Sequence, residues 1–158
     1  MTAPARVFRP RASASGSAPA PANEVFLRLG LRTDDASLVE QIHGGFPVTV
    51  VVKLASELGT PQQTVLKIAR IAPSTLTRRR QSPSGRLTPE ESDRVYRIAA
   101  AYRAALRLFE GDEDAARGWL KAPAKAFGGA TPLQHLDTDA GAAGVHDLIG
   151  RLEHGVYT

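Results

Sequence analysis

The segment "TPEESDRVYRIAAAYRAALRLFEG" constrains the fold more than any other part of the chain. Thr88 and Glu91 have the spacing of a capping box, Pro89 falls at the first helical position, and Gly111 supplies a stop. Between them Val95, Ile98, Tyr102, Ala105 and Phe109 form one apolar stripe, with Glu90–Arg94 and Asp93–Arg97 as expected i,i+4 ion pairs. An amphipathic helix of this length needs neighbours of matching shape. Aromatic residues are only 6% of a chain that is 42% apolar, so those neighbours must pack through Leu, Val, Ile and Ala, which favours helices over a β-sandwich.

The flanking segments carry helix signals of their own. "DDASLVEQIHGG" offers Asp34 or Asp35 as N-cap, Leu38, Val39 and Ile42 at helical spacing, and Gly44-Gly45 as a stop. "FPVTVVVKLASELG" has valines that would also suit a strand. The spacing of Val48, Val51, Val52, Ala55 and Leu58, together with Gly59, favours a helix. "TPQQTVLKIARI" predicts a capping box at Thr60 and Gln63, and Ile71-Ala72-Pro73 forms a break. Further on, "DEDAARGWLKA" reads as an acid-capped helix, "TPLQHL" as a short one, and "TDAGAAGVHDLIGRLEHG" as a last helix. Trp119 reads as a core anchor.

The stretch "TVLKIARIAPSTLTRRRQ" contains the parts of a helix-turn-helix. Val65, Leu66 and Ala69 can face inward, Ile71 can plug the turn, and Leu76 can pin the second helix. Ser74, Thr75, Thr77 and Arg78 are then candidate readers of base edges, and Arg79, Arg80, Arg86 and Lys67 candidate phosphate contacts. Charge distribution agrees with this reading: residues 61–87 hold six bases and no acid, whereas residues 88–158 hold eight bases and eleven acids. The positive charge is local, and operator DNA is the expected partner.

Other chemistries find little support. With no cysteine there are no disulfides and no thiolate ligands or nucleophiles, which fits a reducing cytoplasm. The apolar run Val48–Val52 is far short of the ~20 residues that span a bilayer, so no membrane association is expected. His43, His135, His146 and His154 lack metal-site spacing, and there is no Gly-x-Ser-x-Gly elbow, phosphate loop or dinucleotide fingerprint. The chain is therefore expected to be no enzyme and to need neither cofactor nor metal.

Taken in order, Ile68-Ala69-Arg70 through Arg80, Leu87–Ala99, Trp119-Leu120 with Pro123, Gly128–Leu133, Leu136 with Thr138 and Gly141, and Gly155-Val156-Tyr157 resemble the Xre/MbcA/ParS family of bacterial antitoxins. The resemblance covers roughly residues 40–158. It implies an Xre-like helix-turn-helix followed by a toxin-binding part, a RES-domain toxin that consumes NAD as partner, and repression of the shared operon. Two departures stand out. Ala72 occupies the usual position of a Ser cap, so the second helix is expected to start later, at a Ser74 cap, and Ala124-Lys125 and Phe127 replace the usual residues around the Gly-Gly turn.

The expected architecture is all-α. Residues 1–32 form a basic, Pro/Ala/Ser-rich disordered tail, 33–86 a helix-turn-helix domain that dimerises on DNA, and 87–158 a helical toxin-binding domain, with "SPSGR" as the joint. Arg151, His154, Val156, Tyr157 and Thr158 are candidate toxin contacts, which the resemblance implies would enter a cleft built for an anionic, aromatic-rich cofactor; the alternative is that this segment completes the last helix and packs Val156 and Tyr157 on the core. A stand-alone repressor would share the first half without needing the second.

Overall fold

The computed structural model describes residues 21–155, which form eight α-helices and two short 3-10 turns. The helices are α1 (Pro21–Leu29), α2 (Asp35–Gly44), α3 (Thr49–Leu58), α4 (Gln62–Ile68), α5 (Pro73–Gln81), α6 (Pro89–Leu108), α7 (Glu113–Leu120) and α8 (Asp139–Glu153). The 3-10 turns, Lys125–Phe127 and Gln134–Asp137, lie between α7 and α8. The all-α expectation holds. Among the described residues no helix is long and apolar enough to cross a membrane.

α6 is the spine, and α1, α2, α3, α4, α7 and α8 all pack on it. Its N-terminus has the expected capping box: Thr88 Oγ1 accepts from Glu91 N at 3.1 Å while Glu91 Oε1 accepts from Thr88 N at 2.8 Å. Burial is wider than the predicted stripe. Besides Val95, Ile98, Tyr102 and Ala105 it takes in Ala99, Ala101, Leu106 and Leu108, whose small and branched side chains let helices approach from several directions. The predicted i,i+4 pairs do not form. Arg94 donates from Nε to Ala69 O at 2.6 Å, and Arg97 pairs with Asp139 of α8, because partners on neighbouring helices compete with those on the same helix.

The tail boundary at residue 32 needs correction. Ala22, Val25, Phe26 and Leu29 recur at helical spacing, and all four are buried against the core, so residues 21–29 are a structural helix. The Pro/Ala/Ser bias that suggested a tail ends at Asn23. Arg28 then bridges three helices, bonding Glu57 of α3 at 2.8 Å and Glu113 of α7 at 2.7 Å. These acceptors, Glu57 first, raise its pKa further. α7 also closes the end of α3: Arg117 donates to Glu57 O at 3.0 Å and Lys121 to Leu58 O at 3.0 Å, satisfying carbonyls that the helix end would leave bare.

Helix ends mostly follow their sequence signals. Asp34 caps α2 by accepting from Ser37 N at 2.9 Å, which lowers its pKa, and Asp112 and Thr138 cap α7 and α8. The Thr60 capping box is not formed: α4 starts beyond Pro61, and Thr60 Oγ1 is buried with no hydrogen-bond partner. Val39, expected on the buried stripe of α2, is 49% exposed.

The joint "SPSGR" is stitched to the α2–α3 connection. Val48 N bonds Gly85 O at 2.9 Å, Leu87 N bonds Phe46 O at 2.8 Å, and Phe46 N bonds the buried Ser92 Oγ at 2.8 Å. Gly45 permits this approach, because a Cβ there would lie 2.1 Å from Leu87 O, on a backbone whose φ of 81° already favours glycine. The buried residues form one hydrophobic cluster running from Ala22 to Ile149.

The turn between α4 and α5 is a Schellman motif. Ile71 N bonds Leu66 O at 2.9 Å and Arg70 N bonds Lys67 O at 3.3 Å, with Leu66 and Ile71 both buried. Arg70 occupies the left-handed position of this motif at φ 55°, which glycine fills without strain. Arg70→Gly is therefore expected to stabilise the fold by about 0.5–1 kcal/mol, read as a raised urea midpoint at unchanged slope.

Candidate nucleic-acid interface

α5 leans on the molecule through a single pin. Of its residues only Leu76 is buried, and the helix is otherwise polar or cationic. It begins at Pro73 with Ala72 in the cap position and no side-chain cap, so the expected start at a Ser74 cap is corrected. Pro at the first position lacks the N–H that would otherwise need a partner, which allows a start without a capping side chain. The inward residues are those expected: Val65, Leu66 and Ala69 of the first helix and its end, Ile71 in the turn, and Leu76.

The candidate readers share one surface but differ in availability. Ser74, Thr77 and Arg78 are exposed, and Thr75 is half-buried. Thr77 directs its hydroxyl proton to its own helix, donating to Pro73 O at 3.1 Å, which leaves its oxygen to accept. Among the described residues Arg78 has no ion-pair or hydrogen-bond partner for its side chain, so its guanidinium is a free fork.

The candidate phosphate contacts divide in two. Lys67, on α4, is exposed. Arg80 reaches back to Gln62 Oε1 at 3.3 Å, and Arg86 donates to Gly45 O at 2.9 Å as part of the stitched joint. Arg79 is half-buried and pairs with Glu91 Oε1 at 3.2 Å, while its Nε is buried without a partner. The three consecutive arginines thus have three situations: one faces water, one ties α5 to the capping box of α6, and one braces α4.

Arg70 is a basic residue that the site reading missed. It is exposed beside Lys67, and together they line a hollow of about 470 Å³ shared with Gln134 and Asp137 of the second 3-10 turn. Its place in the Schellman turn was the available signal, since "LKIARI" ends a helix at Ala69 and turns its next residue outward. Of the candidate toxin contacts, Arg151 lies on the last turn of α8 and His154 just after it, both exposed; Val156, Tyr157 and Thr158 lie outside the described residues. Among the described residues no group of three or more His, Cys, Asp or Glu could hold a metal ion.

An amphipathic α4, a four-residue turn and a singly pinned α5 with an exposed polar face define a helix-turn-helix protein, here built on the same spine that carries α7 and α8. Residues 37–100 match the antitoxin Xre-like helix-turn-helix domain, and residues 104–155 match the antitoxin Xre/MbcA/ParS C-terminal toxin-binding domain. Proteins named "Antitoxin Xre" align along most of the chain. That of Yersinia enterocolitica is 42% identical over 77% of this chain and 81% of its own length, and that of Photorhabdus laumondii 38% over 74% and 78%. A Pseudomonas putida relative of the same name is 32% identical over 77% and 74%. The chain belongs to the Xre antitoxin family. Neither matched domain is a catalytic one, which points to a regulatory or binding protein. The two matches meet inside α6, whereas the division read from the sequence falls at Leu87.

Glu91 serves both the capping box and Arg79, so its two roles can be separated. Glu91→Ala is expected to cost about 1–2 kcal/mol, and Glu91→Gln, which keeps a cap acceptor and removes only the ion pair, less than about 1 kcal/mol. Urea denaturation of the two variants checks the order; equal losses would assign the whole effect to the ion pair.

Proposed function

We propose that this chain is the antitoxin of a toxin-antitoxin pair that neutralises a RES-domain, NAD-consuming toxin by covering its active site, and that it represses its own operon by binding operator DNA. The observation that carries the reading is the union, on one core, of a helix-turn-helix with a free Ser74–Thr77–Arg78 face and a region matched as toxin-binding. The RES class of the toxin follows from the family resemblance. A cytoplasmic homodimer suits the DNA role, setting two α5 helices one duplex turn apart, ~34 Å.

On DNA, the N-terminal part of α5 meets base edges through Ser74, Thr77 and Arg78, with Thr75 at the margin. Lys67 and Arg80 lie beside phosphates, and Arg79 and Arg86 hold α5 and the joint in place as well as adding positive field. In the toxin-binding half, the exposed Arg151 and His154 at the end of α8 meet the toxin, and Val156, Tyr157 and Thr158 are further contacts in its cleft.

DNA affinity is expected to fall steeply with salt, and Arg80→Ala or Lys67→Ala to lower the log-log slope by about 0.9 for each phosphate that the variant no longer neutralises. Titration of the upstream duplex at several salt concentrations checks this; slopes equal to wild type for both variants would remove these residues from the interface. Removing His154–Thr158 leaves Leu152, which packs on the core, in place. The truncated chain is expected to remain folded by circular dichroism and to lose protection of cells against the toxin. Full protection by the folded truncation would sink the cleft-covering mechanism.

A further inference from the structure

A second basic feature lies on the far side of the spine from α5, and neither DNA reading nor cleft covering uses it. Between α6 and α8 runs a groove of about 350 Å³ whose floor is made of Ala100, Ala104 and Ala142. Small floor residues leave room for a side chain from outside. Arg103 and Arg107, one turn apart on α6, rise on one wall, and His146 of α8 stands opposite.

The charges along this groove are unequal. Arg97 is neutralised by Asp139, and Asp93 lies at the same end. At the other end, neither Arg103 nor Arg107 forms an ion pair among the described residues, and Asp35 acts on Arg103 only at a distance. Arg103 is also held in position. Its guanidinium lies 3.9 Å from the centroid of the Phe26 ring, itself packed edge-on against Tyr96. Burial, and then the neighbouring Arg107, push the pKa of Arg103 down against the opposing pull of Tyr96, which also hydrogen-bonds it, and of Asp35; burial likewise lowers His146 against the opposing pull of Asp147.

We propose that the Arg103–Arg107–His146 end of this groove seats a carboxylate-bearing segment of the toxin. The inference rests on the toxin-binding reading above and names the chemistry of the partner surface. An Asp or Glu entering over the alanine floor would meet a fixed fork at Arg103 and a mobile one at Arg107, a bidentate arrangement suited to a carboxylate. Location separates this site from DNA. Glu91, which touches the α5 arginine Arg79, lies about 24 Å along α6 from Arg107. Arg107, Ala142 and His146 all fall within the region matched as toxin-binding.

Arg107 is exposed and makes no side-chain contact that the fold needs, so its variants can be expected to fold. The test uses the full chain, the purified protein encoded by the neighbouring reading frame, and a duplex from upstream of the chain's own reading frame. Arg107→Glu is expected to weaken binding of the neighbouring protein about tenfold or more, Arg107→Lys to restore it to within about threefold, and both to leave duplex affinity within about twofold. Binding of the neighbouring protein that is indifferent to Arg107→Glu overturns the groove inference alone. A parallel loss of duplex affinity makes the groove a nucleic-acid surface and also overturns it. Failure of the wild-type chain to bind that protein removes the toxin-binding reading, and this inference with it.

Discussion

Everything in this fold depends on burying α6 on more than one side. A helix with a single apolar stripe can be covered by one layer, but α6 buries Ala101 and Leu108 as well as Val95, Ile98 and Tyr102, and so needs helices around it. At ~1.5–3 kcal/mol for each large side chain removed from water, this is the largest favourable term the chain can collect in one element. The other helices are placed by it. α1 to α4, α7 and α8 all pack along it, and the capping box fixes where it begins.

That arrangement explains why the family's two matched regions meet in the middle of a helix. The helix-turn-helix and the C-terminal layer do not own separate cores, and the Gly45–Leu87 approach leaves the intervening loop no freedom to act as a tether. Arg79 adds a polar link, running from α5 to the first turn of the spine through Glu91. A ligand that draws Arg79 toward itself must compete with that carboxylate.

The sequence made the helices legible wherever signals were local: caps at Asp34, Thr88, Asp112 and Thr138, stops at Gly45 and Gly59, and the inward set from Val65 to Leu76. It was misleading where the outcome depended on distant partners. Arg94 and Arg97 had good neighbours on their own helix and went elsewhere, and nothing near Arg79 in sequence indicated that Glu91 would take it. Thr60 had the pattern of a cap without the geometry. The N-terminal helix was hidden by averaging composition across residues 1–32, when the four-residue pattern of Ala22, Val25, Phe26 and Leu29 was already present. Site residue types could be read in advance, but their availability could not, because it is set by which acceptors the fold brings within reach.

α5 stands on one buried leucine, has no side-chain cap, and ends in three like charges. Its free energy of local opening is therefore expected to lie below that of α6, so that amide exchange and proteolytic nicking would be faster there than in the spine. A ligand resting on its outer face would have to suppress that fraying, and part of its binding energy would go into ordering a helix held by one buried leucine and the Arg79–Glu91 and Arg80–Gln62 contacts. The single leucine pin thus sets a thermodynamic toll on every complex the helix enters, separate from any contact the complex makes.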